Sequence, residues 1–321
     1  MTRAAKQGGP LRIPGAVLLA LGLLAGAPGA WGQGTTVGDG DSPIEVFSDN
    51  GIEWRRDEMM YVARGNAIAI QDQDRVMGDV LVAHYRETED GGTEIWRMES
   101  LGNARIETPD QTVTGRNAAY EKDSGILVVR GAPLRMVTDT ETVTATDSLE
   151  YWSQERMAVA RGDAHVVRAN GDTVDADIVT GYFADKESGA EGTADATTEA
   201  TADAAPSEPT SESEAGAGDR GGLERMEAFG DVVITTAKEV VRGDRAVYDV
   251  PAEIATVYDN VTVSTETDQF AGNRAVMNLK TGVSTLYGGG DDDGRARALI
   301  VPQRPEESAE ENGAAPDADT N

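Results

Sequence analysis

Apolar and polar residues alternate along most of this chain with a period of two. The stretches "NAIAI" (66–70), "VVITT" (232–236), "NVTVST" (260–265) and "ILVVRG" (126–131) show it most clearly. Such runs, rich in Val, Ile, Thr and Tyr, read as half-buried strands. Beyond the first 32 residues no window of 12 shows a convincing 3.6-residue period. The runs are bounded by Asn50-Gly51, Ser124-Gly125, Asn170-Gly171 and Thr281-Gly282, pairs that permit the positive φ of a tight reversal. The fold class expected is all-β.

The strands recur in a pattern. Six segments begin with Gly or Asp and run about a dozen residues to a Val or Phe followed by a small residue. They usually close on Tyr: Gly65–Tyr85, Gly102–Tyr120, Gly131–Tyr151, Gly162–Tyr182, Gly230–Tyr248 and Asp259–Met277. The glycine-to-glycine distance within a unit is 13 in three of them, and successive units step by 29 to 31 residues where nothing intervenes. A unit of that size cannot bury its own apolar face, so neighbours must stack around a shared interior, leaving an edge strand at each end. Parity is ambiguous. Ile68 and Ile70 share one face in the first unit, Ala104 and Ile106 in the second, and the interior reads equally as a packed core or a hollow groove.

Charge and composition narrow the chemistry. The 321 residues hold no Cys and two His, with a formal charge of −29. A thiolate nucleophile and a His-rich metal site are excluded, and so strong a negative balance disfavours nucleic acid as a partner. Residues 184–222 carry ten acids against two bases and lack large aliphatic and aromatic side chains. They are expected to be a disordered acidic insertion within a single repeat domain, 43–303, and 304–321 a disordered acidic tail. At the start, a basic stretch precedes the 12-residue apolar run 16–27 and small residues up to Gly32. That reads as a signal peptide over 1–32, cleaved after Ala30 or Gly32, and places the mature protein in the periplasm.

"PIEVFSDNGIEW" (43–54), the following "YVARGNAIA" (61–69), the recurrent V-x-G-x-x-A-x-Y segments and the closing "GRARALIVPQ" (294–303) resemble the lipopolysaccharide-transport periplasmic proteins of the OstA-like, or LptA, family. The resemblance spans 43–303 outside the acidic insertion. It implies an open β-jellyroll of stacked V-shaped hairpins that holds the acyl chains of lipopolysaccharide inside, with sugars and phosphates outside. It also implies head-to-tail homo-oligomers joined through edge strands. These bridge an inner-membrane-anchored partner of similar fold and the periplasmic domain of the outer-membrane translocon. On that footing Ile44–Trp54 is the first edge strand, and Ile44, Val46, Ile52, Leu299 and Val301 are the partner-contact candidates. The lipid-groove candidates are Ile68, Ile70, Ile106, Leu127, Val129, Leu134, Met136, Val166, Val233, Val261 and Val263. Acyl chains leaving water there gain about 0.8 kcal/mol per buried methylene.

Little points to chemistry. His84 and His165 fall in different units, and Asp291–Asp293 lack calcium-loop spacing. Arg295 and Arg297 alternate with apolar residues at the groove rim or on a solvent face. No catalytic residue, cofactor or metal is expected. Two other readings stay open: a filled-core structural or adhesive envelope protein, and a β-solenoid enzyme acting on polysaccharide. The enzyme would need paired carboxylates and aromatic platforms, whereas Trp31, Trp54, Trp96 and Trp152 are scattered.

Overall fold

The computed structural model describes residues 11–12, 42–89, 91–184, 222–289 and 294–301. The signal peptide (apart from Leu11 and Arg12), the interior of the acidic insertion, Asp291–Asp293 and the tail lie outside the described residues. What is described is built from antiparallel strands and holds no helix.

The first strands are Leu11–Arg12 (β1), Glu45–Phe47 (β2), Ile52–Arg55 (β3), Met60–Gln71 (β4), Asp74–Glu87 (β5) and Thr93–Leu101 (β6). Short strands follow: Arg105–Thr108 (β7), Gln111–Thr114 (β8), Asn117–Glu121 (β9), Ile126–Arg130 (β10), Leu134–Thr138 (β11), Glu141–Ala145 (β12) and Ser148–Trp152 (β13). Long strands then return as Met157–Arg168 (β14), Thr173–Phe183 (β15), Leu223–Thr235 (β16), Glu239–Asp249 (β17), Ile254–Thr265 (β18) and Gln269–Asn278 (β19). Val283–Tyr287 (β20) and Arg297–Leu299 (β21) complete the set.

The long strands are bent. Met60–Arg64 of β4 pairs with β3 and the second half of β5, whereas Ala67–Gln71 pairs with β2 and the first half of β5. Register breaks recur at Arg161/Ala164, Phe229/Val232 and Tyr258/Val261. At each bend sits the residue that leads a sequence unit, in the left-handed region and followed by a second left-handed residue. These pairs are Gly65-Asn66 (φ 77° and 43°), Gly162-Asp163 (80° and 41°), Gly230-Asp231 (79° and 44°) and Asp259-Asn260 (58° and 52°). Gly102-Asn103 does the same where the chain breaks into short strands (75° and 49°), and Gly131 has φ 80° ahead of Ala132-Pro133. Positive φ is open to Gly and tolerated by Asn and Asp, so the sequence leader is the hinge of a V.

Two wings result. Wing I runs β3-β4-β5-β6-β9-β10-β13-β14-β15-β16-β17-β18-β19-β20, and β1 pairs with the outer edge of β20. Wing II runs β2-β4-β5-β7-β8-β11-β12-β14-β15-β16-β17-β18-β19-β21. This is an open jellyroll. Pairing of β15 with β16, from Thr173↔Thr235 to Phe183↔Leu223, carries both wings past the acidic insertion. One apolar cluster fills the angle from Ala104 to Leu286, and a smaller one of Ala63, Ala67, Ala69 and Leu81 sits at the N-terminal end. The expected first strand is two: β2 on wing II and β3 on wing I, separated by the corner at Asn50-Gly51 (φ of Gly51, 92°).

Candidate functional site

The inward positions follow from the corner. Because a left-handed pair occupies the bend, the second and fourth residues after the leader point inside: Ala67 and Ala69, Ala104 and Ile106, Ala164 and Val166, Val232 and Ile234, Val261 and Val263 are all buried. In the third unit the offset is one longer, and Leu134 and Met136 are buried. Ile106, Val129, Leu134, Met136, Val166, Val261 and Val263 therefore belong to the interior cluster, with Leu127 partly buried against it. Ile68, Ile70 and Val233 do not. They are half-exposed on the alternate face, beside the buried Ala67, Ala69, Val232 and Ile234. Offset from the leader, the same in five of the six units, is the signal that finds the inward residues; at Ile68 and Ile70 side-chain size misleads.

The interior is not uniformly filled. At the N-terminal end a cavity of about 260 Å³ is lined by Ile44, Val46, Ile52, Tyr61, Ala63, Ala69, Leu81, Val82, Ala83, Ile95 and Met98. Three alanines make the room. Midway along, between Val174 and Ile234 of wing II and Met226, Tyr248 and Val257 of wing I, the free space shrinks to about 40 Å³. An engineered apolar cavity of ~150 Å³ takes up benzene, so the end cavity admits a small apolar ligand and the middle does not without movement.

Exposed large apolar residues gather at the two ends. Val46, Phe47, Ile52 and Trp54 lie on β2 and β3; Val283, Leu299, Ile300 and Val301 lie on or just after β20 and β21. Of the partner-contact candidates, Val46, Ile52, Leu299 and Val301 are exposed and Ile44 is half-buried in the cavity wall. The rest of the surface is blunted by charge. Glu53, Glu99, Glu150 and Glu227 fall on one cross-strand row of wing I's outer face. Each is held by a cation: Arg55 and Arg64 on Glu53, Arg97 on Glu99, Arg161 on Glu150, Arg225 and Arg245 on Glu227. Burial works against the charge of Glu150, but hydrogen bonds from Ser148 and Trp152 and the pull of Arg161 outweigh it and hold the carboxyl below the usual range.

The hairpin tips of wing II form a polar rim. Thr138, Thr236 and Thr265 each accept, on Oγ1, the backbone N–H of the acid three residues on, Glu141, Glu239 and Asp268, at 3.0 to 3.2 Å. Glu239 is 3% exposed, and neither carboxylate oxygen has a hydrogen-bond partner. Burial, opposed weakly by Lys238, pushes its pKa up to about 7. Sequence reading missed this rim because a Thr-x-x-acid turn looks solvated.

The other candidates stay apart. His84 lies on wing I, 3.7 Å from Glu99, and His165 on wing II, 2.6 Å from Asp175. Arg295 and Arg297 are exposed. Among the described residues, no group of three or more His, Asp or Glu is placed to hold a metal ion.

Sequence comparison adds a match to part of the chain. The model of the LptA/(LptD N-terminal domain) LPS transport protein matches residues 142–283, the stretch from β12 to the first residue of β20. Among solved structures 17 chains match. One is LptH of Pseudomonas aeruginosa, described as the LptA homologous periplasmic component of the lipopolysaccharide transport device. It is 19% identical, with 39% of this chain and 86% of that one covered and a TM-score of 0.33. No curated protein matches.

Proposed function

We propose, from the premise that this chain carries a domain of the LptA/LptD N-terminal lipopolysaccharide-transport family over residues 142–283, that the protein takes part in lipopolysaccharide transport in the periplasm. It acts as a carrier without chemistry. The acyl chains lie between the wings, against Ala69, Val166, Val232 and Val263, and the head group stays outside the V. The observation that carries this reading is the apolar interior that opens at one end into a cavity of about 260 Å³.

The walls suit sliding. Their inward residues are Ala, Val, Ile, Leu and Met in succession, so each methylene exchanges one apolar contact for another of about the same strength and no position is a deep trap. Passage through the narrow middle requires the wings to part, which a stack closed on only one side, at the left-handed corners, permits.

The ends suit assembly. β2 and β3 at one end and β21 at the other offer strand edges flanked by exposed Val46, Phe47, Ile52, Leu299 and Val301, the combination that takes another chain's strand. The protein would thus extend head to tail and meet an inner-membrane-anchored partner of similar fold and the periplasmic domain of the outer-membrane translocon, forming the bridge along which lipid passes to the outer membrane.

In-cell photocrosslinking tests the carrier reading. A photoreactive residue at Ala69, Val232 or Val263 should give lipopolysaccharide adducts, and one at Ile68 or Val233, a single position away, should not. Equal yields at both parities, or none at inward positions while transport runs, would leave a filled-core envelope protein as the better reading.

A further inference from the structure

Beside the N-terminal cavity three aromatic rings form a chain. Tyr61, in the cavity wall, lies 5.0 Å from Tyr85 and 5.9 Å from Trp54 between ring centroids. Trp54 donates its indole N–H to the Tyr85 hydroxyl at 2.9 Å. That hydroxyl is used as an acceptor, so its own proton is left to donate. Outside, the Arg56 guanidinium lies 4.1 Å from the centre of the Trp54 ring.

The charges around it are already matched, except on Arg56 and its neighbour Asp57. Arg55 binds Glu53 and Glu58, and Arg64 binds Glu53. Asp57 is exposed in the same turn. Arg56 makes no ion pair among the described residues, although the chain as a whole is strongly acidic. Stacking on an indole fixes the guanidinium without consuming its donors. An apolar cavity, a buried hydroxyl donor stacked behind its Tyr61 wall and an uncommitted guanidinium beyond are the parts of a site for an anionic amphiphile.

We infer that the N-terminal cavity binds a single acyl chain bearing a phosphate or carboxylate, the chain against Ala63, Ala69, Leu81 and Ala83 and the anionic group at Arg56 and the Tyr85 hydroxyl. This rests on the carrier reading and adds to it a means of choosing at the N-terminal end. Acyl length is limited by the cavity, and charge is selected beside it.

Calorimetric titration of the purified protein tests it, with dodecyl phosphate, dodecyl maltoside and inorganic phosphate as probes, each lipid below its micelle concentration. Dodecyl phosphate should bind one per chain and more tightly than dodecyl maltoside, with inorganic phosphate alone not binding. Arg56→Gln, on an exposed side chain, should weaken dodecyl phosphate about three- to tenfold, as for a charged hydrogen bond partly screened by solvent, and leave dodecyl maltoside unchanged. Ala83→Phe should remove binding of both lipids. The inference is overturned if dodecyl phosphate does not bind, if Arg56→Gln weakens both lipids alike, or if inorganic phosphate binds as well as its dodecyl ester. Lipopolysaccharide adducts at Val232 that persist in any of these cases would separate loss of this site from loss of the carrier reading.

Discussion

Glu239 provides the sharpest test of the described interior. It occupies an inward position of β17, two residues before the buried Val241, with both oxygens unpartnered. Ionising it there is costly, and its pKa accordingly rises from the ordinary 4.5 to about 7. At about 1.4 kcal/mol per pH unit that difference corresponds to roughly 3 kcal/mol. The direction follows from linkage. Below pH 4.5 the group is protonated in folded and unfolded chains alike, and nothing is lost. Between about 4.5 and 7 the unfolded chain gives up the proton while the folded one keeps it, so stability falls as pH rises. Above 7 the whole penalty is present. Glu239→Gln replaces the neutral acid by a neutral amide of the same shape, so the variant's stability relative to wild type should improve by roughly 3 kcal/mol from pH 4.5 to pH 8.5. In thermal melts followed by circular dichroism, that is roughly 6–12 °C for a domain of this size. Comparing variant and wild type at each pH cancels the general repulsion of the acidic chain. A gap that stays constant across the range would mean that the carboxyl is solvated or paired, and the description of the rim would be wrong.

Val232→Asp and Val233→Asp, one residue apart, should differ sharply in chemical denaturation. The first buries an unpaired charge at a position 1% exposed and costs more than about 4 kcal/mol; the second meets solvent and costs about 1 kcal/mol. Similar losses would refute the parity rule. Gly230→Ala places a methyl at φ 79° against the Asp177 carboxyl and should cost about 1–2 kcal/mol. Asp177→Ala in the same chain should recover part of that, and no recovery would remove the steric share of the argument.

The strands and the recurrence of their Gly or Asp leaders were legible because each rests on local chemistry. Alternation in "NVTVST" needs only a half-buried strand, and a leader that is Gly or Asp needs only a left-handed bend. Parity was not. Crossing the corner takes one extra residue, which turns the side chains after it to the opposite face. Ile68 and Ile70 were attractive as larger neighbours of the alanines that line the inside, while at Val233, between Val232 and Ile234, size offers nothing to choose by. The fourth unit adds an irregularity of its own, a register shift between Tyr182 and Phe183 that buries Phe183 and leaves Tyr182 half-exposed under Arg225. The cavity was illegible for a related reason. It is made by what Ala63, Ala69 and Ala83 lack, and an alanine reads alike whether it faces a neighbour or a void. The Arg56–Trp54 stack involves a Trp that the sequence shows only as one of four scattered aromatics, and nothing in the alternation marks Arg56.

The left-handed corners have a consequence for scale. Each keeps its strand at one fixed level of the stack, so the chain never returns to an earlier layer and length accrues in steps of about 4.8 Å per strand. Wing I, from β3 to β20, therefore spans roughly 60 Å. A further unit, supplying two strands to each wing, would add roughly 10 Å without altering the cross-section. A segment such as the acidic insertion, spliced in at a hairpin tip between β15 and β16, adds nothing to the span. The molecule is a ruler graduated in corners, and the distance it reaches can be lengthened or shortened without redesigning its interior.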